Sequence, residues 1–153
     1  MLKMLALMAM VMVAEQSPNV IEGTVTRVVD GDTIHVVSDG KKTIIRMVSI
    51  DAPESRQAYG KQSTVVLKKL VEGKTVRVNA VEKDRYGRTV GTIWRDDKDI
   101  NGEMVRLGAA WYFPDYHKSQ RYQVLHDAAK RDKRGLWSKP RPENPKDWRR
   151  RNR

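Results

Sequence analysis

The sequence predicts a single domain of the α+β class, mainly β, and three observations lead to that class. The chain has 153 residues, which is enough to bury one hydrophobic core. Short runs rich in Thr and Val alternate with turn residues in the first half of the chain, as is typical of strands joined by tight turns. Stretches with a helical spacing of apolar residues lie between and after these runs.

The first three strands follow one another with no helix between them. Residues 21–29 are rich in Thr and Val, and an Asp-Gly-Asp turn at 30–32 leads into a second run over 33–37. An Asp-Gly pair between two such runs is a hairpin signal. A second turn leads into a third strand over 43–50, which ends before Pro53 because proline cannot donate to a ladder. These strands are predicted to form a meander.

Three helices are predicted from apolar spacing and from residues that start or stop a helix. The first covers 62–71, with Gly73 as its stop. Asn101 is placed to cap a second helix that ends near Gly108. The third covers 119–133. The helices therefore interrupt and follow the strands.

Two more strands complete the predicted sheet. They cover 75–81 and 89–94, and the turn at 84–87 links them. Five short strands interrupted by helices fit a small barrel of the OB type. The predicted fold is thus a five-stranded OB-fold Greek-key barrel with three helices.

The net charge and the absence of cysteine narrow the possible partners and site chemistries. The chain has 30 Lys and Arg against 19 Asp and Glu, a formal net charge of +11 and a pI of about 10.0. Such a charge favours a polyanionic partner, nucleic acid first and an anionic membrane surface second, over a basic protein without such a partner. With no cysteine, disulfides, thiolate metal ligands and a lipoprotein anchor are excluded.

The N-terminal segment predicts export. Lys3 is followed by an apolar run over 4–14 and then by polar, turn-forming residues. This is the layout of a secretory signal peptide over 1–14, and the run is too short for a membrane span. The mature chain is then expected to begin with a short lead over 15–20 and to be secreted or periplasmic, with no membrane span. The alternative is an apolar first strand or helix.

The C-terminal segment differs in composition from the predicted folded domain over 21–138. Residues 139–153 are rich in proline and arginine and have no apolar periodicity. This composition predicts a mobile tail. Two interpretations stay open, non-specific attraction of phosphate or a solvated end without a role.

Three carboxylates and two arginines lie beside turns and strand ends, where loops carry function on a rigid scaffold. The carboxylates are Asp32, Asp51 and Glu54, and the arginines are Arg46 and Arg88. Carboxylates bind hard divalent cations and arginines bind phosphate. Together they indicate chemistry on a phosphodiester.

This set resembles staphylococcal nuclease and its homologues, over about residues 21–137. The resemblance implies the same barrel, and it implies a Ca²⁺ held by Asp32, Asp51 and the main-chain carbonyl of Ala52. Few protein ligands imply a weak, hydrated site that substrate phosphate completes. An Asp-Gly turn and a strand-end aspartate are common structural features on their own, and only the whole set favours a metal site.

The resemblance also implies the catalytic groups. Arg46 and Arg88 bind phosphate, where a fixed guanidinium gains strength as negative charge grows; alternatively they are an ion-pair partner and a surface charge at a turn. Glu54 is the general base or orients the attacking water, unless it is only a charge near a helix. Because Arg46 and Asp51 are five residues apart, a flat strand would separate them. A bulge or sharp strand end at 49–51 must bring them together.

Aromatic residues beside basic ones suit base stacking, which tolerates any sequence. Tyr86 matches the nucleotide-pocket tyrosine of the family, and Arg85 stands where a lysine is usual. Tyr112 and Tyr116 resemble a second tyrosine pair, although core packing competes for these rings. The segment over 55–60 is shorter than the mobile loop of the staphylococcal protein, so contacts from that loop are not transferred.

Two functions from different classes follow. The resemblance implies a thermonuclease-like phosphodiesterase that needs Ca²⁺, hydrolyses DNA and RNA with little sequence preference and leaves 3′-phosphorylated products. It implies a monomer without a stable protein partner. The alternative is a non-catalytic OB-fold module that binds nucleic acid or another partner. Because the chain keeps Asp32, Arg46, Asp51, Glu54 and Arg88, the sequence favours the enzyme.

Overall fold

The structure, a computed structural model, describes residues 19–153. The predicted signal peptide over 1–14 and most of the predicted lead over 15–20 lie outside the described residues. In the part of the chain that is described, no helix combines the length and the apolar character needed to cross a bilayer.

Strands dominate the first two thirds of the described chain and helices the last third. In chain order the elements are β1 (Val20–Asp30), β2 (Thr33–Ser38), β3 (Lys41–Met47), β4 (Ile50–Asp51), α1 (Gly60–Val71), β5 (Thr75–Lys83), β6 (Thr89–Arg95), β7 (Lys98–Asp99), α2 (Ile100–Arg106), β8 (Trp111–Tyr112), α3 (Gln120–Arg131), a short 3-10 helix (Gly135–Ser138) and α4 (Pro145–Arg151).

Five of the strands close into a barrel. The sheet order is β3-β2-β1-β5-β6-β7 with antiparallel neighbours, and a parallel pairing of β3 with β6 closes it. The register shifts in β1 after Val25 and in β5 after Ala80. Such bulges bend a strand and increase its twist, which helps a small sheet to close. The predicted five-stranded OB-type barrel is confirmed.

The core fills the barrel and the space under its helices. Alternate positions of the strands are apolar and fully buried, as at Ile34, Val36 and Ile45. Leu67 and Val71 of α1 belong to the same buried cluster. Burial of each large aliphatic side chain contributes about 1.5–3 kcal/mol. The core is therefore a rigid base for the loops at the barrel's edge.

The third strand ends earlier than predicted. β3 stops at Met47, Ser49 adopts a left-handed backbone with φ 63°, and the chain then forms β4. β4 leaves the barrel and pairs with β8 instead. The sharp strand end that Arg46 and Asp51 require is confirmed, because the turn brings them to an N–O distance of 3.5 Å.

The predicted cap of the second helix was wrong by two residues. Asp99 caps α2, and its side chain accepts a hydrogen bond from the Gly102 N–H at 2.9 Å. Asn101 is fully buried, where its amide accepts from the N–H of Ile93 and donates to the carbonyl of Val48. Asp and Asn are equally good caps, and Asn101 is needed to satisfy buried backbone groups of two other segments.

The C-terminal segment, which was predicted to be a mobile tail, contains a fourth α-helix of the described residues that the sequence analysis did not predict. Pro145–Arg151 forms α4, with Pro145 in its first turn and Asn144 as its cap, which accepts from the Lys146 N–H at 2.9 Å. The tail has no apolar periodicity that would indicate this helix, and charged side chains join it to the rest of the protein, with Lys146 paired to Asp115 and Arg149 to Asp51 and Glu54.

Candidate active site

A cleft of about 490 Å³ opens where the start of β2, the end of β3, β4 and the β5–β6 turn meet. Its acidic residues are Asp32, Asp51, Glu54 and Asp115. Its aromatic residues are Tyr86, Phe113 and Tyr116. Its basic residues are Arg46, Arg85, Arg88, Lys146, Arg149, Arg150 and Arg153. The excess of basic side chains makes the cleft attractive to phosphate groups.

Two nearly buried carboxylates form the floor of the cleft. Asp32 is 6% exposed and Asp51 1%. Oδ2 of Asp32 accepts from the backbone N–H of Ala52 at 2.8 Å, which joins the β1–β2 turn to the end of β4. Gly31 allows this approach, since a Cβ at that position would overlap the side chains of Ala52 and Ser63. The predicted metal-binding residues Asp32, Asp51 and Ala52 are thus adjacent.

Next to Asp32 lies a further carboxylate, Asp30, that the sequence analysis did not single out as a site residue. Oδ1 of Asp30 accepts from the backbone N–H of Asp32 at 3.1 Å. Burial and the neighbouring Asp32 carboxylate raise the pKa of Asp30 to about 7. Burial also raises the pKa of Asp51, and hydrogen bonds from Arg149 oppose that rise. The signal for Asp30 was its position two residues before Asp32.

These residues fit a hard divalent cation. Carboxylates that burial and mutual repulsion push toward protonation are stabilised by positive charge between them, and oxygen is the ligand that Ca²⁺ prefers. Across residues 19–153, no three His, Asp or Glu side chains are arranged as a metal-binding group. A cation here would therefore depend on two aspartates, the main chain at Ala52, water and substrate.

Arg46 is held rigidly beside the two aspartates. Its Nη1 donates to the carbonyls of Met47 and Ile50 at 2.6 and 2.9 Å. Its Nη2 lies 3.5 Å from Oδ2 of Asp32 and 3.5 Å from Oδ1 of Asp51, and its side chain is 17% exposed. The hydrogen bonds to the two carbonyls fix the guanidinium. The ion pairs with the aspartates correspond to the alternative role of Arg46 as an ion-pair partner. Both features are compatible with phosphate binding.

The β5–β6 turn presents the second predicted arginine. Asp84 accepts from the backbone N–H groups of Tyr86 and Arg88 at 3.0 Å and from Nε of Arg88 at 2.7 Å. Burial acts to raise the pKa of Asp84, but these hydrogen bonds outweigh it and lower the pKa. Arg85 and Arg88 lie over the Tyr86 ring at 4.9 and 5.5 Å, and Tyr86 is 69% exposed. The turn therefore presents two cations and an exposed ring to the cleft.

The structure separates the two predicted tyrosines, one in β8 and one after it. Tyr116 is 82% exposed and lines the cleft beside Phe113, with ring centroids 6.2 Å apart. Tyr112 packs edge-on against Tyr122, and its hydroxyl accepts from the Ser119 N–H at 2.8 Å. The pairing of β8 with β4 directs Tyr112 into this packing, so Phe113 takes the place in the cleft that was predicted for Tyr112.

Glu54 comes shortly after β4 and before α1. Its backbone N–H donates to Oε1 of Gln57 at 3.1 Å, and its carbonyl accepts from the Gln57 N–H at 2.8 Å. Gly60 is required at the start of α1, because a Cβ there would overlap the Glu54 carbonyl. These contacts fix the backbone of Glu54, while its side chain reaches the cleft and is 32% exposed.

Arg149 of α4 is a cleft residue that the sequence did not predict. Its guanidinium donates to Glu54 at 2.8 Å and to both carboxylate oxygens of Asp51 at 2.8 and 3.1 Å. The hydrogen bonds with Asp51 raise the pKa of Arg149, which stays charged. The Asn-Pro pair at 144–145 is a local signal for the start of a helix. It does not indicate where that helix packs on the rest of the protein.

The fold and the site define a class, an OB-type barrel with buried carboxylates and arginines in one cleft. A family model described as "Staphylococcal nuclease homologue" matches residues 44–139. The chain belongs to the staphylococcal nuclease homologue family.

Relatives from bacteria and plants are similar over most of the chain. A protein of Escherichia coli O157:H7 named "Uncharacterized endonuclease" is 48% identical over 132 residues, which cover 86% of each chain. "Protein ParB" of Escherichia coli is 37% identical over 161 residues, covering 98% of this chain and 91% of that protein. "Staphylococcal-like nuclease CAN1" of Arabidopsis thaliana is 39% identical over 109 residues, covering 71% of this chain and 34% of that protein.

Proposed function

We propose that the protein is a nuclease that depends on Ca²⁺, hydrolyses phosphodiester bonds in DNA and RNA with little sequence preference and leaves 3′-phosphorylated products. It acts as a monomer. The observation that carries the proposal is the placement of Asp32, Asp51, Arg46, Glu54 and Arg88 around one cleft of this family's fold. The relatives named as endonucleases and nucleases support it.

Asp32, Asp51 and the main-chain carbonyl of Ala52 would hold the cation. When bound, Ca²⁺ neutralises phosphate charge and polarises water and the phosphoryl group. Asp32 is suited to its part because the Ala52 N–H at 2.8 Å fixes one of its oxygens. Because both aspartates are almost fully buried, the surrounding residues hold their side chains in place.

The arginines act on the phosphate. Arg46, fixed by two backbone carbonyls, and Arg88, steadied by Asp84, donate hydrogen bonds to its non-bridging oxygens. Negative charge on those oxygens grows in the transition state, so donors that are already in place stabilise it more than they stabilise the bound substrate.

Glu54 acts on the attacking water. A single guanidinium bridges Glu54 and Asp51, so the two carboxylates lie side by side. A carboxylate in that position can accept the proton of a water that attacks phosphorus, or orient that water for in-line attack. The 5′ oxygen then leaves, and the phosphate stays on the 3′ side.

The exposed rings support weak sequence preference. Tyr86 and Tyr116 expose most of their surface at the cleft, and stacking on an aromatic ring is possible for every base. The basic side chains attract the backbone of either nucleic acid. Neither feature distinguishes DNA from RNA, which is why both are proposed as substrates.

Incubation of the purified chain with plasmid DNA, and separately with RNA, tests the proposal. We expect degradation with Ca²⁺, none in excess chelator and none by Asp32→Ala with Ca²⁺. DNA polymerase should extend the products only after phosphatase treatment, because a 3′-phosphate blocks extension. Degradation that persists in chelator would contradict the metal requirement, and binding without cleavage would favour the non-catalytic module.

We also propose that the protein is exported, with removal of residues 1–14. The support is the charged start and apolar run of that segment. Mass spectrometry of protein recovered outside the cytoplasm should find a new N-terminus near Glu15. Recovery of the intact Met1 terminus there would contradict it.

A further inference from the structure

The contact of Arg149 with the floor of the cleft uses the oxygens that a metal would need. Nη2 donates to Oδ2 of Asp51 at 2.8 Å, and Nη1 donates to Oδ1 of Asp51 at 3.1 Å and to Oε1 of Glu54 at 2.8 Å. Both oxygens of Asp51 are therefore engaged by one guanidinium. The Asp51 side chain is 2% exposed and that of Arg149 36%, so the carboxylate meets Arg149 where the floor opens to solvent.

Several contacts hold α4 in this position. Lys146 pairs with Asp115 at 2.6 Å. Just before the helix, the carbonyl of Glu143 accepts from Nε2 of Gln57 at 2.6 Å. These anchors tie the segment to two separate loops of the protein. The approach of Arg149 to Asp51 is thus part of the fold rather than the excursion of one long side chain.

A buried carboxylate needs a compensating charge. Exposed ion pairs add little, but removal of one partner from a nearly buried pair leaves an uncompensated charge, which destabilises strongly. Arg149 and Arg46 provide that compensation for Asp51 in this structure. A divalent cation would provide it as well, and it would repel the guanidinium from the same oxygens.

We propose that Arg149 is a positioning residue of the metal site, an internal cation that holds Asp51 and Glu54 and competes with the divalent cation for Asp51. The proposal rests on the proposed function, since it takes Asp51 as a metal ligand. Metal binding then requires the guanidinium to leave Asp51. The anchors of α4 at Asp115 and Gln57 keep Arg149 in the cleft after it has left.

Calorimetric titration of the full chain with CaCl₂ tests the competition. We expect Arg149→Gln to bind Ca²⁺ about tenfold more tightly than the unchanged protein, because a coupling between two ligands commonly lies in that range. Arg149→Lys keeps the positive charge, so its Ca²⁺ affinity should lie between those of Arg149→Gln and the unchanged protein. Arg150→Gln is the matched control, since it removes one charge from the same helix and the same cleft, at a side chain that is 74% exposed and whose ion pair within the described residues is a long one, 3.7 Å to Asp147. Its Ca²⁺ affinity should change less than about threefold, because interactions of exposed charges usually contribute less than about 1 kcal/mol.

Thermal unfolding gives a second measurement on the same proteins. Without Ca²⁺, Arg149→Gln should unfold at a lower temperature than Arg150→Gln, because Asp51 loses the closer of its two cationic partners. Saturating Ca²⁺ should raise the unfolding temperature more in Arg149→Gln than in the unchanged protein, since tighter binding to the native state stabilises more. A Ca²⁺ affinity of Arg149→Gln equal to or below that of Arg150→Gln would overturn the proposal.

The outcomes separate this inference from the proposed function. If the unchanged protein neither binds Ca²⁺ nor uses it to degrade DNA, both are overturned. If it does both and Arg149→Gln has unchanged Ca²⁺ affinity, only the competition by Arg149 is overturned.

Discussion

The cleft and the aromatic cluster (Trp111, Tyr112, His126 and Trp137) both bury polar groups, but they compensate them differently. The two regions touch, because Asp51 of β4 pairs with Trp111 of β8. In the cleft, every buried carboxylate has a hydrogen-bonding or ionic partner. In the cluster, both ring nitrogens of His126 are buried and have no hydrogen-bond partner among the described residues.

The cleft is organised by charged side chains, whereas the aromatic cluster is organised by the packing of rings. The rings of Trp111 and Trp137 meet edge-on with centroids 4.5 Å apart, and His126 lies 5.1 Å from Trp137. Aromatic contacts of this kind stabilise a fold through burial and ring geometry. Changes in the cleft should therefore alter turnover, whereas changes in the cluster should alter stability.

The largest effect is expected for Glu54→Gln. It keeps the shape and removes the charge that is proposed to act on the attacking water, so turnover should fall about 1,000-fold, within the usual range for a general base. Affinity for nucleic acid should stay within a few-fold, because the proposed role of Glu54 belongs to the transition state. Single-turnover kinetics and a filter-binding assay measure the two. Glu103→Gln, which breaks another Glu–Arg pair at 2.6 Å, is the control, and a similar loss there would remove the special role of Glu54.

The next effect is expected for Arg46. Arg46→Lys keeps one positive charge, but an ammonium cannot reach two carbonyls and two carboxylates at once. Turnover should fall about 100-fold, the scale on which one fixed donor matters to a transition state. The Arg46→Lys protein should still fold, as thermal unfolding can verify. Turnover within a few-fold of the unchanged protein would show that Arg46 is only an ion-pair partner.

A smaller effect is expected at the exposed rings of the cleft. Tyr86→Ala should weaken binding of single-stranded DNA about tenfold, because stacking on one ring contributes about 1–3 kcal/mol per base. Tyr112→Phe removes the hydroxyl that accepts from Ser119 and should change the affinity less than threefold. Fluorescence anisotropy with a labelled oligonucleotide measures both. A larger loss for Tyr112→Phe than for Tyr86→Ala would reverse the assignment made from the structure.

The barrel was predictable because its signals are local, whereas most residues of the cleft were predicted from the resemblance to the staphylococcal nuclease family. Alternating strands, the turn at 30–32 and the position of Pro53 are each visible within a few residues. The sharp turn that brings Arg46 and Asp51 together was anticipated from their geometric conflict on a flat strand, although the end of β3 at Met47 was not. These features depend on the backbone preferences of residues that are close together in the chain, so they can be predicted from the sequence.

The features that escaped prediction depend on contacts between distant residues. Arg149 meets Asp51 across 98 positions, and no pattern in the tail indicates where α4 lies. Tyr112 and Phe113 are neighbours, and only the pairing of the two-residue strand β8 decides which ring enters the cleft. Asn101 looks like a cap until its buried partners are known. Propensity is a weak guide wherever tertiary contacts decide.

The smallest effect concerns His126 and sharpens the contrast between cluster and cleft. Burial and the nearby Lys130 lower its pKa, while Asp127, 3.9 Å away, opposes them. The unfolded chain, with a histidine pKa of about 6.5, then binds a proton that the folded chain resists. The contribution of His126 to the free energy of unfolding should therefore be full at pH 8 and should fall as the pH drops through about 6.5. The raised pKa of Asp30 acts in the opposite direction over the same pH range, so the effect of His126 is measured as a difference between two proteins that both keep Asp30. Thermal unfolding of the unchanged protein and of His126→Phe from pH 8 to pH 5 measures this. The phenyl ring does not titrate, so the variant should lose less stability at low pH; His35, whose pKa burial also lowers, is present in both proteins and cancels. Equal pH dependence of the two would mean that His126 is accessible to protons in the folded state.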